Sequence, residues 1–126
     1  MALVVVDASV VAALLFLEPQ ADALAEELAG CTLVAPDLLP YEIANVAAMK
    51  VRRRLITPDG AQAALDLLGR LNVRLHPVEP LRAFETAMET GLTAYDGAYV
   101  WLSHALGARI ATLDARVARA TRKPVS

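Results

Sequence analysis

Lysine and arginine are absent from the first 49 residues of this 126-residue chain, while that stretch holds Asp7, Glu18, Asp22, Glu26, Glu27, Asp37 and Glu42. No positive charge therefore precedes the apolar run of residues 10–17, so that run is not expected to be a secretory leader. The run is also far short of the roughly 20 residues that a membrane span requires. A single cysteine, Cys31, excludes an internal disulfide and fits a reducing cytosol, so a soluble cytoplasmic protein is expected. His76 and His104 stand alone, without Cys or His at zinc spacing. Neither Gly-x-x-x-x-Gly-Lys nor Gly-x-Gly-x-x-Gly occurs, which excludes the common phosphate cradles. Six Gly and seven Pro are scattered singly, leaving no low-complexity linker and no internal repeat.

What is present describes one ordered domain spanning residues 1–126. With 56% hydrophobic and 21% charged residues the chain is no disordered segment. Its length suffices to bury a core. A net charge of −2 does not mark a nucleic-acid binder by itself. Charge is nevertheless uneven: Arg109, Arg116, Arg119, Arg122 and Lys123 face only Asp114 in the tail, so a basic rim can border an acidic centre.

Residues 2–6 are apolar and β-rich, the pattern of a central strand buried on both faces. Residues 9–17 read as a buried helix. Ala21, Leu24, Ala25 and Leu28 recur at helical spacing up to Gly30. A second strand is expected at 32–35, then a long helix over 38–55 with Asp37 as its N-cap and Pro40 tolerated early. Thr57 and Pro58 start another helix, with Ala61, Ala64, Leu65 and Leu68 as its stripe and Gly69 weakening its end. A strand at 73–78 follows, with Val73 and Leu75 alternating. Next comes a helix marked by Leu81, Phe84 and Met88 up to Gly91. A further helix over 93–106 carries Ala94, Ala98, Trp101, Leu102 and Ala105 on one face. A strand at 109–113 and a short basic helix complete the pattern, with a last strand at 123–125. Strands alternating with helices predict a mostly parallel sheet in a three-layer α/β/α sandwich. Ligands bind such sheets beyond the carboxyl ends of the strands, where Asp7 and Asp114 fall.

Four acids, Asp7, Glu42, Asp96 and Asp114, stand at strand ends or helix starts. Each has a local explanation. Asp7 (or Ser9) and Asp114 can cap helices, Glu42 can complement a helix dipole, and Thr93 with Asp96 fits a capping box. Collected at one sheet edge they need more. Two carboxylates 4 Å apart repel by about 4 kcal/mol at an effective dielectric near 20. They must protonate, spread apart or hold a cation. Oxygen-only ligands select Mg²⁺ or Mn²⁺. Such an ion suits phosphodiester hydrolysis. Ser9, Thr112 and Thr93 are hydroxyls near the acids, and Asn45 lies one turn after Glu42, placed to hold a water or orient the carboxylate. Asp7-Ala8-Ser9 lacks the second Asp of an aspartyl-phosphate phosphatase. Glu18, Asp22 and Glu26 read as a solvated face. Arg52, Arg53 and Arg54 suit a helix C-terminus, or contact RNA or an acidic partner.

Four ordered motifs resemble the PIN-domain family, and most of all the VapC-type toxins of toxin–antitoxin pairs. They are Val5-Val6-Asp7-Ala8-Ser9-Val10, Tyr41-Glu42-Ile43-Ala44-Asn45, Leu92-Thr93-Ala94-Tyr95-Asp96 and Ala111-Thr112-Leu113-Asp114. The resemblance covers essentially the whole chain. It implies a Mg²⁺- or Mn²⁺-dependent endoribonuclease with Asp7, Glu42, Asp96 and Asp114 as the acidic metal site, Thr112 supporting it, and Ser9 and Asn45 accessory. It also implies an RNA substrate, a homodimer and a cognate antitoxin whose C-terminal segment fills the toxin's groove. Gly97 departs from the pattern, where a helix former is more usual, at a helix cost of roughly 1 kcal/mol against Ala. The competing readings are a PIN-fold binding module without turnover and a DNA-directed nuclease.

Overall fold

A computed structural model describes residues 2–122. Its centre is β1 (Leu3–Val6), whose Val4, Val5 and Val6 are wholly buried. β-branched residues suit a pleated strand, and parallel strands covered on both faces read as continuous apolar runs. β1 pairs with β2 (Thr32–Pro36) on one side and β4 (Arg109–Ala111) on the other, while β3 (Arg74–His76) pairs with β2. All three pairings are parallel, and the strand order is β3-β2-β1-β4. Register brings Val6 opposite Ala111, so β1 and β4 end side by side.

Between β1 and β2 run α1 (Ala8–Leu15) and α2 (Ala21–Leu28). α3 (Leu39–Arg52) and α4 (Pro58–Arg70) follow β2, and both pack with α1. α6 (Ala94–Leu106) lies across β1, β2 and β4, with α5 (Pro80–Thr90) against it. α7 (Ala115–Thr121) closes on α6 and β4. The result is the expected three-layer α/β/α sandwich around a parallel sheet. Among the described residues, no helix is long and apolar enough to cross a membrane.

Several local expectations fail for identifiable reasons. α1 stops at Leu15, because Leu17 turns to a positive φ of 52° and the Glu18 amide closes back on Ala13. Asp37 is not a cap: its amide donates to the His76 carbonyl at 3.0 Å, continuing the β2–β3 ladder, and Leu38 occupies the N-cap of α3 without a side-chain cap bond. α3 ends at Arg52, short of 55, where Arg54 takes a φ of 57°. Leu75 sits exposed on the outer strand β3 instead of in the core. The expected strand at 123–125 lies outside the described residues.

The largest correction concerns α5. Leu81, Phe84 and Met88 are exposed, and Ala83, Thr86 and Ala87 face inward. Gly97 of α6 explains the reversal. A Cβ there would stand 2.8 Å from the Ala83 carbonyl oxygen and 3.2 Å from the Ala87 nitrogen. Gly97 therefore permits a backbone approach that only a small-residue face of α5 can match. On α6 the buried set is Gly97, Ala98, Tyr99, Val100, Leu102 and Ser103, whereas Ala94 and Ala105 are exposed.

Candidate active site

Asp7 leaves the end of β1 and caps α1, its Oδ1 accepting from the Val10 amide at 3.2 Å and from the Ser9 hydroxyl at 2.6 Å. Its Oδ2 accepts from the Thr112 hydroxyl, just beyond β4. Ser9 Oγ in turn accepts from the Leu113 amide at 2.9 Å, and Thr112 Oγ1 from the Asp114 amide at 3.0 Å. The Asp7 amide donates to the Ala111 carbonyl. The ends of two parallel strands are thus stitched together around one buried carboxylate. Ser9 and Thr112 both donate to Asp7.

Glu42 arrives from the first turn of α3. Its Oε1 accepts from the Tyr99 hydroxyl at 2.6 Å, a contact between α3 and α6 across 57 residues of sequence. Asp96 occupies the first turn of α6, where the Thr93 hydroxyl caps its amide at 3.1 Å. Asp114 caps α7 through the Arg116 amide at 2.8 Å, and its Oδ2 lies 3.4 Å from the Arg116 guanidinium. Asn45 is exposed, with its Nδ2 3.8 Å from Met49 Sδ, and makes no bond to Glu42. The side chain that bonds the Glu42 carboxylate is Tyr99. Along the chain Tyr99 had one signal, its position three residues after Asp96 on the same helix face.

Electrostatics tie the acids into one group. Burial pushes the Asp7 carboxyl above the usual carboxylate range, against the pull of Ser9, Thr112 and the Val10 and Ser9 amides. Burial also raises Glu42; Tyr99 pulls it back, while the charges of Asp96 and Asp7 push it further up. For Asp96, burial comes first, then repulsion from Asp114 and Asp7, opposed by Thr93 and Arg116. Asp114 is lowered, held ionised by the amide and guanidinium of Arg116. The Tyr99 phenol is driven far up by burial and by Glu42, so it remains a donor. Arg116 is a cation acting at the Asp96–Asp114 end, whereas among the described residues the main causes of the Asp7 and Glu42 shifts include no Lys or Arg.

The four acids therefore meet electrostatically at the carboxyl edge of the sheet. They do not form a closed cage: among the described residues, no three Asp, Glu, His or Cys side chains stand ready to hold an ion together. The donor set still fits a hard cation. Mg²⁺ keeps several waters and takes one or two carboxylates directly, so an open ring of acids suits it.

Known proteins resemble this chain over most of its length. The PIN domain matches residues 4–123. Ribonuclease VapC3 of Pyrobaculum aerophilum is 35% identical over 119 residues, covering 90% of this chain and 91% of that protein. Ribonuclease VapC12 of Mycobacterium tuberculosis is 32% identical over 118 residues, covering 93% and 91%. The crystal structure of PAE2754 from Pyrobaculum aerophilum superposes with a TM-score of 0.74 over 98% of this chain and 88% of that one; at 23% identity, that likeness speaks for the fold alone. With the domain matched almost end to end and its acids gathered where β1 and β4 finish, the chain belongs to the PIN-domain family.

Proposed function

We propose that this protein is a Mg²⁺-dependent endoribonuclease, with Mn²⁺ as a substitute, acting as the toxin of a type II toxin–antitoxin pair in the cytoplasm. One observation carries the reading. Burial raises the pKa of Asp7, Glu42 and Asp96 at one sheet edge, the charge of Asp7 pushes Glu42 and Asp96 further up, and among the described residues no Lys or Arg stands out as an offset at Asp7 or Glu42. A fold gains nothing from unopposed buried carboxylates unless a cation joins them. The names of the VapC relatives, both ribonucleases, support RNA as the substrate.

Asp7, Glu42 and Asp96 would hold the ion, with Asp114 joining directly or through water. When bound, Mg²⁺ supplies Lewis acidity at a phosphodiester oxygen and makes water more acidic. The remaining work belongs to the chain. Asp7 accepts three hydrogen bonds out of the roughly four that a carboxylate offers, so it is rigid and still has one acceptor site left on Oδ2. Among the described residues, Glu42 Oε2 accepts no hydrogen bond while Tyr99 holds Oε1. Arg116, exposed at the rim beside Asp114, offers positive charge to a polyanion approaching an acidic centre.

Two surfaces support the partners. Ala44, Ala47, Ala48, Val51, Ala61 and Leu65 line a trough between α3 and α4, on the helix that carries Glu42, which suits an antitoxin segment. The exposed Leu81, Phe84 and Met88 stripe of α5 suits burial in a homodimer. The deciding experiment measures cleavage of matched RNA and DNA oligonucleotides in Mg²⁺, with and without chelator. RNA cleavage is expected, lost in EDTA and in Asp7→Ala. Full activity of either would rule out the metal mechanism, and preference for DNA would rule out the substrate.

A further inference from the structure

Tyr99 is the bulkiest wholly buried side chain in the protein's core, 1% exposed, yet its hydroxyl points into the acidic site. A buried hydroxyl costs free energy unless bonded, and a Phe would fill the same core space without that cost. The 2.6 Å bond to Glu42 Oε1 falls in the range of charge-assisted O–H···O⁻ bonds. Glu42 needs such an anchor. Its long side chain reaches from the first turn of α3, only partly buried, and the neighbouring Asn45 points elsewhere. Glu also has more rotamer freedom to lose on ordering than most side chains. Tyr99, by contrast, is fixed by α6, which also carries Asp96.

We propose that Tyr99 is a positioning residue of the cation site, its phenol fixing Glu42 Oε1 so that Oε2 is presented to the ion in register with Asp7 and Asp96. The inference rests on the metal-nuclease reading above and deepens it. Asp7 is held from its own strand end and from β4, by Ser9, Val10 and Thr112. Glu42 has no such local support among its hydrogen bonds, and Tyr99 supplies it from across the sheet. The two carboxylates are thereby fixed by independent means, so the loss of the phenol should loosen one without touching the other. Outer partners of this kind commonly set metal affinity as strongly as 10–100-fold.

The test is Tyr99→Phe in the full chain, read by calorimetric Mn²⁺ binding and by thermal melting without metal. Val100→Ala serves as the structural control, since Val100 is wholly buried on the same helix and packs with Val117 and Ala120. Tyr99→Phe is expected to bind Mn²⁺ about tenfold more weakly, with a melting temperature within a few degrees of wild type. Its RNA KM should hold, while kcat falls at limiting Mn²⁺ and recovers at high Mn²⁺. Val100→Ala should melt earlier and bind Mn²⁺ as wild type does. Affinity in Tyr99→Phe within twofold of wild type, or tighter, overturns the inference. So does equal weakening in Val100→Ala, which would make the effect one of general packing. Wild-type protein that binds no Mn²⁺ would sink the metal reading itself, and the inference with it.

Discussion

Replacing Asp7 by Asn separates the acid's structural work from its chemistry. Asn keeps an acceptor oxygen for Val10 and Ser9, and Asn equals Asp as a helix cap, so the start of α1 should persist. What disappears is a buried negative charge whose pKa is raised by burial, and the repulsion it imposes on Glu42 and Asp96. Without metal at pH 7.5, Asp7→Asn should therefore melt at or above the wild-type temperature. The cation response is the second half. A ligand at 100 times its Kd stabilises the folded state by about 2.7 kcal/mol. An unfolding entropy near 2.1 cal/mol/K per residue, over 126 residues, makes 1 kcal/mol worth about 4 °C. Wild type should thus gain roughly 10 °C in saturating Mn²⁺, and Asp7→Asn should gain little. Differential scanning fluorimetry across a Mn²⁺ titration reads both. If metal-free Asp7→Asn melts several degrees below wild type, Asp7 is a structural acid. If it gains as much from Mn²⁺ as wild type, Asp7 is not part of the ion's site.

Two further outcomes follow from the same geometry. Gly97→Ala should lower the melting temperature by about 4 °C, because overpacking against the α5 backbone costs roughly 1–3 kcal/mol and exceeds the helix-propensity gain of about 1 kcal/mol; a rise would refute the close approach. Stability without metal should fall as pH rises above the ordinary carboxylate range. Asp7, Glu42 and Asp96 have folded pKa values above their unfolded ones, so the folded state binds more protons as these groups titrate, and stability declines as pH passes through the raised values. Asp114 runs the other way, its stabilisation being lost only in stronger acid. Saturating Mn²⁺ should flatten the decline, and urea midpoints across the range measure it.

Much of this site was legible along the chain because its signals are local. An apolar Val run followed by an acid places Asp7 at the end of a buried strand, and the same logic places Asp114 after β4. Thr57-Pro58 and Thr93 announce helix starts through short-range caps that form as expected. Where the face of an element that meets the core is at stake, local pattern misleads. Leu81, Phe84 and Met88 have the spacing of a buried stripe, yet they face outward because Gly97 admits only the Ala83–Ala87 side of α5.

By itself, then, the sequence determined the order of elements, the parallel three-layer architecture and the places of the four acids at strand ends and helix starts, since apolar period and capping chemistry act over a few residues. Tertiary structure alone decided that Glu42 leans on Tyr99 and not on Asn45, and that Thr112 closes on Asp7. It also decided that Asp37 serves the sheet instead of a helix. Those contacts join residues 57 and 105 positions apart, or depend on which strand lies alongside. Nothing in the spacing of one segment encodes the distance to another. Packing of the layers sets that distance, and with it which oxygens of the acidic group remain open to an ion.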